Sequence, residues 1–161
     1  MHIERLEKIF IGLGGLLLAI GIAAIGASVF AADIHLPAPS GRIDPRNVRT
    51  TAPFDQPGLK QIGPNQYEAV IVAFTWAFQV SPDFAANELH VPVGANVTFK
   101  VTSTDVIHGF MIERTDVNAM IIPGQITQVN HTFDKPGEYL IICHEYCGTG
   151  HHTMFAKVIV A

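Results

Sequence analysis

From Ile9 to Ala32 the chain carries no charged residue and no proline. A helix over that run would rise roughly 36 Å, at about 1.5 Å per residue. A bilayer core is about 30 Å thick, so the run reads as one membrane-spanning helix. A cleaved signal peptide is the competing reading, because Val29-Phe30-Ala31 resembles a cleavage site. The apolar core of such peptides, however, runs only about 7–15 residues. Gly15, Ala19, Ala23 and Ala27 recur every four residues, a spacing that lets a second membrane helix approach closely. The same residues are also common in membrane helices that pack against nothing. Basic residues flank both ends, Arg5 and Lys8 before and Arg42, Arg46 and Arg49 after, so charge alone does not orient the helix.

This run explains why only 15% of the 161 residues are charged while 48% are hydrophobic. The formal net charge of -4 argues against a nucleic-acid partner, which would call for a basic face. Two cysteines close together do not make a disulfide-rich scaffold.

Residues 33–65 hold Pro37, Pro39, Pro45, Pro53, Pro57 and Pro64 with Gly41, Gly58 and Gly63 among them. Such a stretch sustains neither helix nor central strand and reads as a linker. Its length implies that it lies against something. The organisation expected is a tail at 1–8, a membrane helix at 9–32, a linker at 33–65 and one domain at 66–161.

From Tyr67 onward the pattern is β. Tyr67–Phe78 is apolar and aromatic; Asn96–Ser103 alternates, with Val97, Phe99 and Val101 on one face; Thr127–Phe133 alternates too. Glu138–Ile142 and Phe155–Val160 are short apolar runs, and Pro123-Gly124 and Pro136-Gly137 punctuate the series. Short strands at this spacing predict an all-β, antiparallel sandwich without a soluble helix.

The chemistry lies in Cys143-His144-Glu145-Tyr146-Cys147-Gly148-Thr149-Gly150-His151-His152-Thr153-Met154, between two predicted strands. Two thiols, an imidazole and a thioether are soft ligands, which select copper, zinc or iron–sulfur chemistry over magnesium or calcium. The thioether favours copper, since zinc sites use cysteine, histidine and carboxylates. A mononuclear blue-copper site needs only one cysteine. Two thiolates can bridge two coppers, each of which then needs a histidine. His151 supplies one, and His108 is the best candidate for the other, in an apolar setting beside Gly109. A disulfide between Cys143 and Cys147 and a Cys/His zinc site are the alternatives; both leave Met154 idle. His144 and His152 read either as solvent-facing or as residues that back the ligands and tune the redox potential, His131 as a core histidine, and Met111 and Met120 as packing residues. His2, His35 and His90 carry no signal.

The loop resembles the Cys-x-Glu-x-Cys-x-x-x-His-x-x-Met signature of the two-copper CuA centre in cytochrome c oxidase subunit II. Val72-Ala73-Phe74-Thr75-Trp76, Val106-Ile107-His108-Gly109-Phe110 and Pro136-Gly137-Glu138-Tyr139 are similar to further parts of that family. The single helix resembles the B-type oxidases. The resemblance implies a cupredoxin-like Greek-key β-sandwich behind one transmembrane helix, on the outer side of a prokaryotic plasma membrane. It implies that Cys143 and Cys147 bridge two coppers, that His108 and Met154 bind one, and that His151 and the Glu145 carbonyl bind the other. Trp76 matches a position linked to electron uptake from cytochrome c, although a core role is the alternative. Close single-helix relatives carry glutamine where Glu145 stands; two-helix members use the glutamate for an interfacial magnesium. The implied partners are a heme-bearing subunit I, a small extra subunit, the donor cytochrome c and the membrane. The implied function is electron relay to subunit I for oxygen reduction coupled to proton translocation. A CuA subunit of a nitric oxide reductase is the nearest alternative. A nitrous oxide reductase domain, a copper-delivery protein and a lone mononuclear cupredoxin are further rivals.

Overall fold

A computed structural model describes residues 4–31 and 39–161. His2, His35, the last residue of the expected span and the start of the expected linker lie outside the described residues. The chain divides into two compact units, residues 1–37 and 38–161.

Among the described residues the first unit is one helix, α1, Arg5–Phe30. It starts within the expected tail because Glu4 and Glu7 form a capping box: the Glu7 carboxylate accepts from the Glu4 N–H at 2.9 Å. That reciprocal pairing satisfies N–H groups which the first turn otherwise leaves free. No residue of α1 is buried, and its length and apolarity suffice to cross a membrane.

The second unit is a sandwich of two sheets. The first holds β1 (Gly41–Arg42), β9 (Gln125–Thr132), β6 (Asn96–Ser103), β3 (Gln66–Phe74) and β2 (Gly58–Gly63) in that order, with β4 (Ala77–Gln79) folded back on β3. The second holds β5 (Glu88–Val91), β11 (Phe155–Val160), β10 (Gly137–Ile142), β7 (His108–Ile112) and β8 (Asn118–Ile121). Two pairings, β3 with β6 and β5 with β11, are parallel, which corrects the purely antiparallel expectation. Alternation reveals which face of a strand is buried, but both pairings present the same alternation to the core.

The core lies between the sheets. Val97, Phe99 and Val101 are fully buried there, as their alternation predicts, against Phe110, Ile112, Phe133 and Ile141. Phe99 and Phe110 meet at a ring separation of 5.6 Å and Phe99 and Phe133 at 6.2 Å, arrangements favoured beyond simple burial.

The proline-rich stretch carries more structure than expected. Beyond β1 and β2, a 3-10 helix spans Pro45–Thr50, capped by Asp44, whose carboxylate accepts from the Arg46 N–H at 3.0 Å. Both strands sit at sheet edges, where missing N–H donors are tolerated. Val48 and Phe54 pack with Ile43, Val70 and Val72 into a second core on the outer side of the first sheet. Arg49 is held between the Phe74 and Phe84 rings, 4.9 Å from each centroid, and donates to Gln79.

The expected continuous strand Tyr67–Phe78 is two strands, broken at Thr75-Trp76. That break matters, because it delivers Trp76 to the copper-type loop.

Candidate metal centre

β10 and β11 end and begin as neighbours, with Ile142 paired to Phe155. The loop between them therefore leaves and returns at one point of a rigid sheet, and the Cys143 N–H closes it onto the Met154 carbonyl at 3.3 Å. A short 3-10 turn, His151–Thr153, brings the last ligand-type residues back over the first.

The side chains converge. Cys143 Sγ lies 3.7 Å from Cys147 Sγ, 3.9 Å from His108 Nδ1 and 3.3 Å from the Glu145 carbonyl oxygen. Cys147 Sγ lies 3.5 Å from His151 Nδ1 and 3.7 Å from Met154 Sδ. His108, Cys143 and Cys147 have donor atoms all within 4.8 Å of one another. Both cysteines are free thiols, and His108, Cys143, Cys147 and Met154 are buried. All six positions singled out in the sequence thus gather in one place, His108 from a strand remote in sequence and the Glu145 position through its backbone oxygen. The Glu145 carboxylate instead faces the His144 imidazole at 3.7 Å.

Burial is the main reason that the Cys147 thiol is pushed up to about 11, with the neighbouring Cys143 adding to it. Without a metal that burial favours the Cys147 thiol; a bound cation draws its proton off.

Asp105 organises His108, a role the sequence reading missed. Its carboxylate accepts from Thr75 N–H at 2.7 Å, Val106 N–H at 2.7 Å, Ser103 Oγ at 3.1 Å and His108 Nε2 at 2.9 Å. With Nε2–H donating to Asp105, the Nδ1 lone pair faces the cysteines. Burial works against the charged carboxylate, but the bonds from His108, Thr75 and Val106 outweigh it and hold the group at about 2. The available signal was an aspartate three residues before a candidate histidine.

Trp76 is 43% exposed, which excludes the core role weighed for it. It donates its indole N–H to the Cys147 carbonyl at 3.2 Å. The ring lies on the glycines of the loop: a β-carbon at Gly150 would sit 2.5 Å from Trp76 Cδ2, and one at Gly148 3.0 Å from Nε1. Gly148 also has φ +117, a region L side chains rarely adopt.

His131 is only partly buried, packs edge-on to Phe133 and meets Asp116 at 2.7 Å. It is a satisfied sheet histidine remote from the ligand set.

A β-sandwich that seats two thiols, an imidazole and a thioether in the loop between its last strands, against a second imidazole from β7, defines a cupredoxin-type metal protein. Residues 78–161 match the family model for the periplasmic domain of cytochrome c oxidase subunit II. A cytochrome c oxidase subunit 2 of Thermus thermophilus is 45% identical over 121 residues, covering 74% of this chain and 85% of the relative. A second cytochrome c oxidase subunit 2 of Thermus thermophilus is 45% identical over 121 residues, covering 74% of this chain and 68% of the relative. A cryo-EM structure of a heme–copper terminal oxidase dimer contains a chain 35% identical, with a TM-score of 0.68 and coverage of 98% of this chain and 100% of that one. The periplasmic domain of cytochrome oxidase subunit II of Bradyrhizobium japonicum, 24% identical, shares the fold at a TM-score of 0.52 over 58% of this chain and 83% of that one. The chain belongs to the cytochrome c oxidase subunit II family.

Proposed function

We propose that Cys143 and Cys147 bridge two copper ions, with His108 and Met154 completing one and His151 and the Glu145 carbonyl the other. The chain is an electron-transfer subunit of a heme–copper oxidase, and this centre is where it takes up electrons. The carrying observation is the continuous set of contacts from His108 Nδ1 through both sulfurs to His151 Nδ1 and Met154 Sδ. Two thiols 3.7 Å apart, unbonded and each facing its own imidazole, suit a pair of soft ions better than one.

Copper bound there would take one electron at a time and pass it on. The protein's part is to keep the ligands still. The loop is pinned to paired strands, Asp105 fixes the His108 ring and the sandwich core excludes water beneath. Small rearrangement favours fast transfer. Val106, Ile107, Trp76 and Tyr146, at and beside this loop, are all more than 40% exposed. Their apolar surface supports docking of a cytochrome c donor, with the Trp76 indole linked directly to Cys147.

Electrons go on to a heme in subunit I, where oxygen is reduced and protons are translocated, and a small extra subunit completes the complex. α1 anchors the chain in a prokaryotic plasma membrane with the sandwich on the outer side. Residues 39–65, expected from the sequence to be a linker, contribute the edge strands β1 and β2 and the outer core of the sandwich. The named relatives are oxidase subunits, which favours oxygen over nitric oxide as terminal acceptor.

Copper analysis and electron paramagnetic resonance of the full chain, purified in detergent, test the centre. Two coppers per chain sharing one unpaired electron are expected. One copper with a single-nucleus pattern would overturn the bridged assignment.

A further inference from the structure

Met111 and Met120, which the sequence suggests are packing residues, do not enter the core. Their strand neighbours Phe110, Ile112 and Ile121 are fully buried there, so alternation turns both methionines to the outer face of the second sheet. Met120 is 45% exposed.

The strand register gathers them around one glycine. Gly109 is directly opposite Met120 across the β7–β8 pair. On its other side β7 pairs with β10, Ile142 opposite Met111. Carried two residues further, that register sets His144 opposite Gly109. The geometry agrees, since a β-carbon on Gly109 would lie 2.6 Å from His144 Cγ and 2.7 Å from Cδ2. The imidazole therefore rests on bare backbone between its own strand and Met120, and Met111 is the next outward side chain along β7. His144 Nδ1 is turned to Glu145 Oε1 at 3.7 Å. Cδ2, which is bonded to Nε2, is part of the edge against Gly109. Among the described residues Nε2 has no hydrogen-bond partner.

Two thioethers and an imidazole make a soft donor set. Such a set suits a monovalent soft ion and discriminates against magnesium and calcium, which want oxygen. Its neighbour in the chain is Cys143, one residue from His144 and buried in the metal centre.

We propose that Met111, Met120 and His144 form an outer-face site for monovalent copper, which stages the ion for the cysteine pair behind it. The destination rests on the copper reading above; the site itself does not. Transfer breaks copper–thioether and copper–imidazole bonds and forms copper–thiolate bonds, and the thiol proton leaves to solvent. No electron moves, so no oxidant is required.

The test uses the full chain in detergent, without oxygen, titrated with Cu(I) against a chromogenic Cu(I) chelator. In a Cys143→Ser/Cys147→Ser background one equivalent is expected to bind. Met111→Leu/Met120→Leu, conservative in volume, and separately His144→Asn, should weaken it by at least about tenfold, the scale of losing part of a metal's environment. In the chain with intact cysteines, the same changes should slow the rate at which Cu(I) protects the thiols from alkylation. No Cu(I) binding in the serine background, or binding unaffected by the leucine and asparagine changes, overturns the site. Binding that is lost while thiol protection keeps its rate overturns the staging role. Cysteines that Cu(I) never protects would instead count against the copper centre, whatever the outer face does.

Discussion

The indole N–H of Trp76 is bonded to the carbonyl of Cys147 at 3.2 Å, and its ring occupies the space that side chains at positions 148 and 150 would need. The residue expected to receive electrons is thus also the lid of the ligand loop. Trp76→Phe keeps a ring on the glycines but removes the N–H. Copper content should be retained while electron uptake from reduced cytochrome c slows, read by stopped-flow absorbance. Gly150→Ala acts on the other partner, forcing the indole off its seat. Overpacking of this kind costs about 1–3 kcal/mol, to be read as a lowered denaturation midpoint.

Asp105→Asn should weaken copper binding by about 10–100-fold, the usual effect of losing the group that orients a ligating histidine. Chelator competition on the full chain measures it. The direction follows from geometry, because an amide oxygen holds the His108 Nε2–H less firmly than the carboxylate at 2.9 Å.

Met154→Leu conserves volume in a buried position and should cost less than about 1.5 kcal/mol of stability. Copper should still bind through the cysteines and histidines. The reduction potential should move, since a weak thioether ligand tunes it; voltammetry reads the shift. An unchanged potential would remove Met154 from the ligand set.

Asp116 faces His131 at 2.7 Å, and that bond is the main reason its carboxyl is held below the ordinary 3.8. A carboxyl lowered by folding stabilises the native state above its unfolded value and loses that contribution as pH falls through the folded one. Acid unfolding of Asp116→Asn should therefore be less steep below pH 3.8 than that of the parent. Both residues are remote from the ligand loop, so copper spectra should not change.

The apolar rim formed by Val106, Ile107, Trp76 and Tyr146 predicts a donor reaction with little dependence on salt. Charge-steered association falls steeply as ionic strength rises, whereas apolar docking does not. Rates of cytochrome c oxidation across a salt series distinguish the two.

Much of the site was legible because its information is local. Cys143, Glu145, Cys147, His151 and Met154 share one loop, and their spacing already encodes which of them can meet. The strands Asn96–Ser103 and Phe155–Val160 coincide with their alternating or apolar runs. The strands at 88–91, 108–112 and 118–121 went unread because each is short, and a few residues of alternation do not rise above chance. The break at Thr75-Trp76 was hidden inside an apolar run.

The sequence by itself determined the uncharged helix, the β character of the chain beyond residue 66 and a soft ligand set on one loop, since hydropathy, periodicity and ligand softness are properties of neighbouring residues. The tertiary structure decided the rest. It chose parallel pairing for β3–β6 and β5–β11, and turned Asp105 onto His108. It laid Trp76 across Gly148 and Gly150, and set Met111, Met120 and His144 around Gly109. Most of these join residues far apart in the chain, and all of them depend on sheet register or on where a strand breaks. Register is a property of the packed sandwich rather than of any one segment.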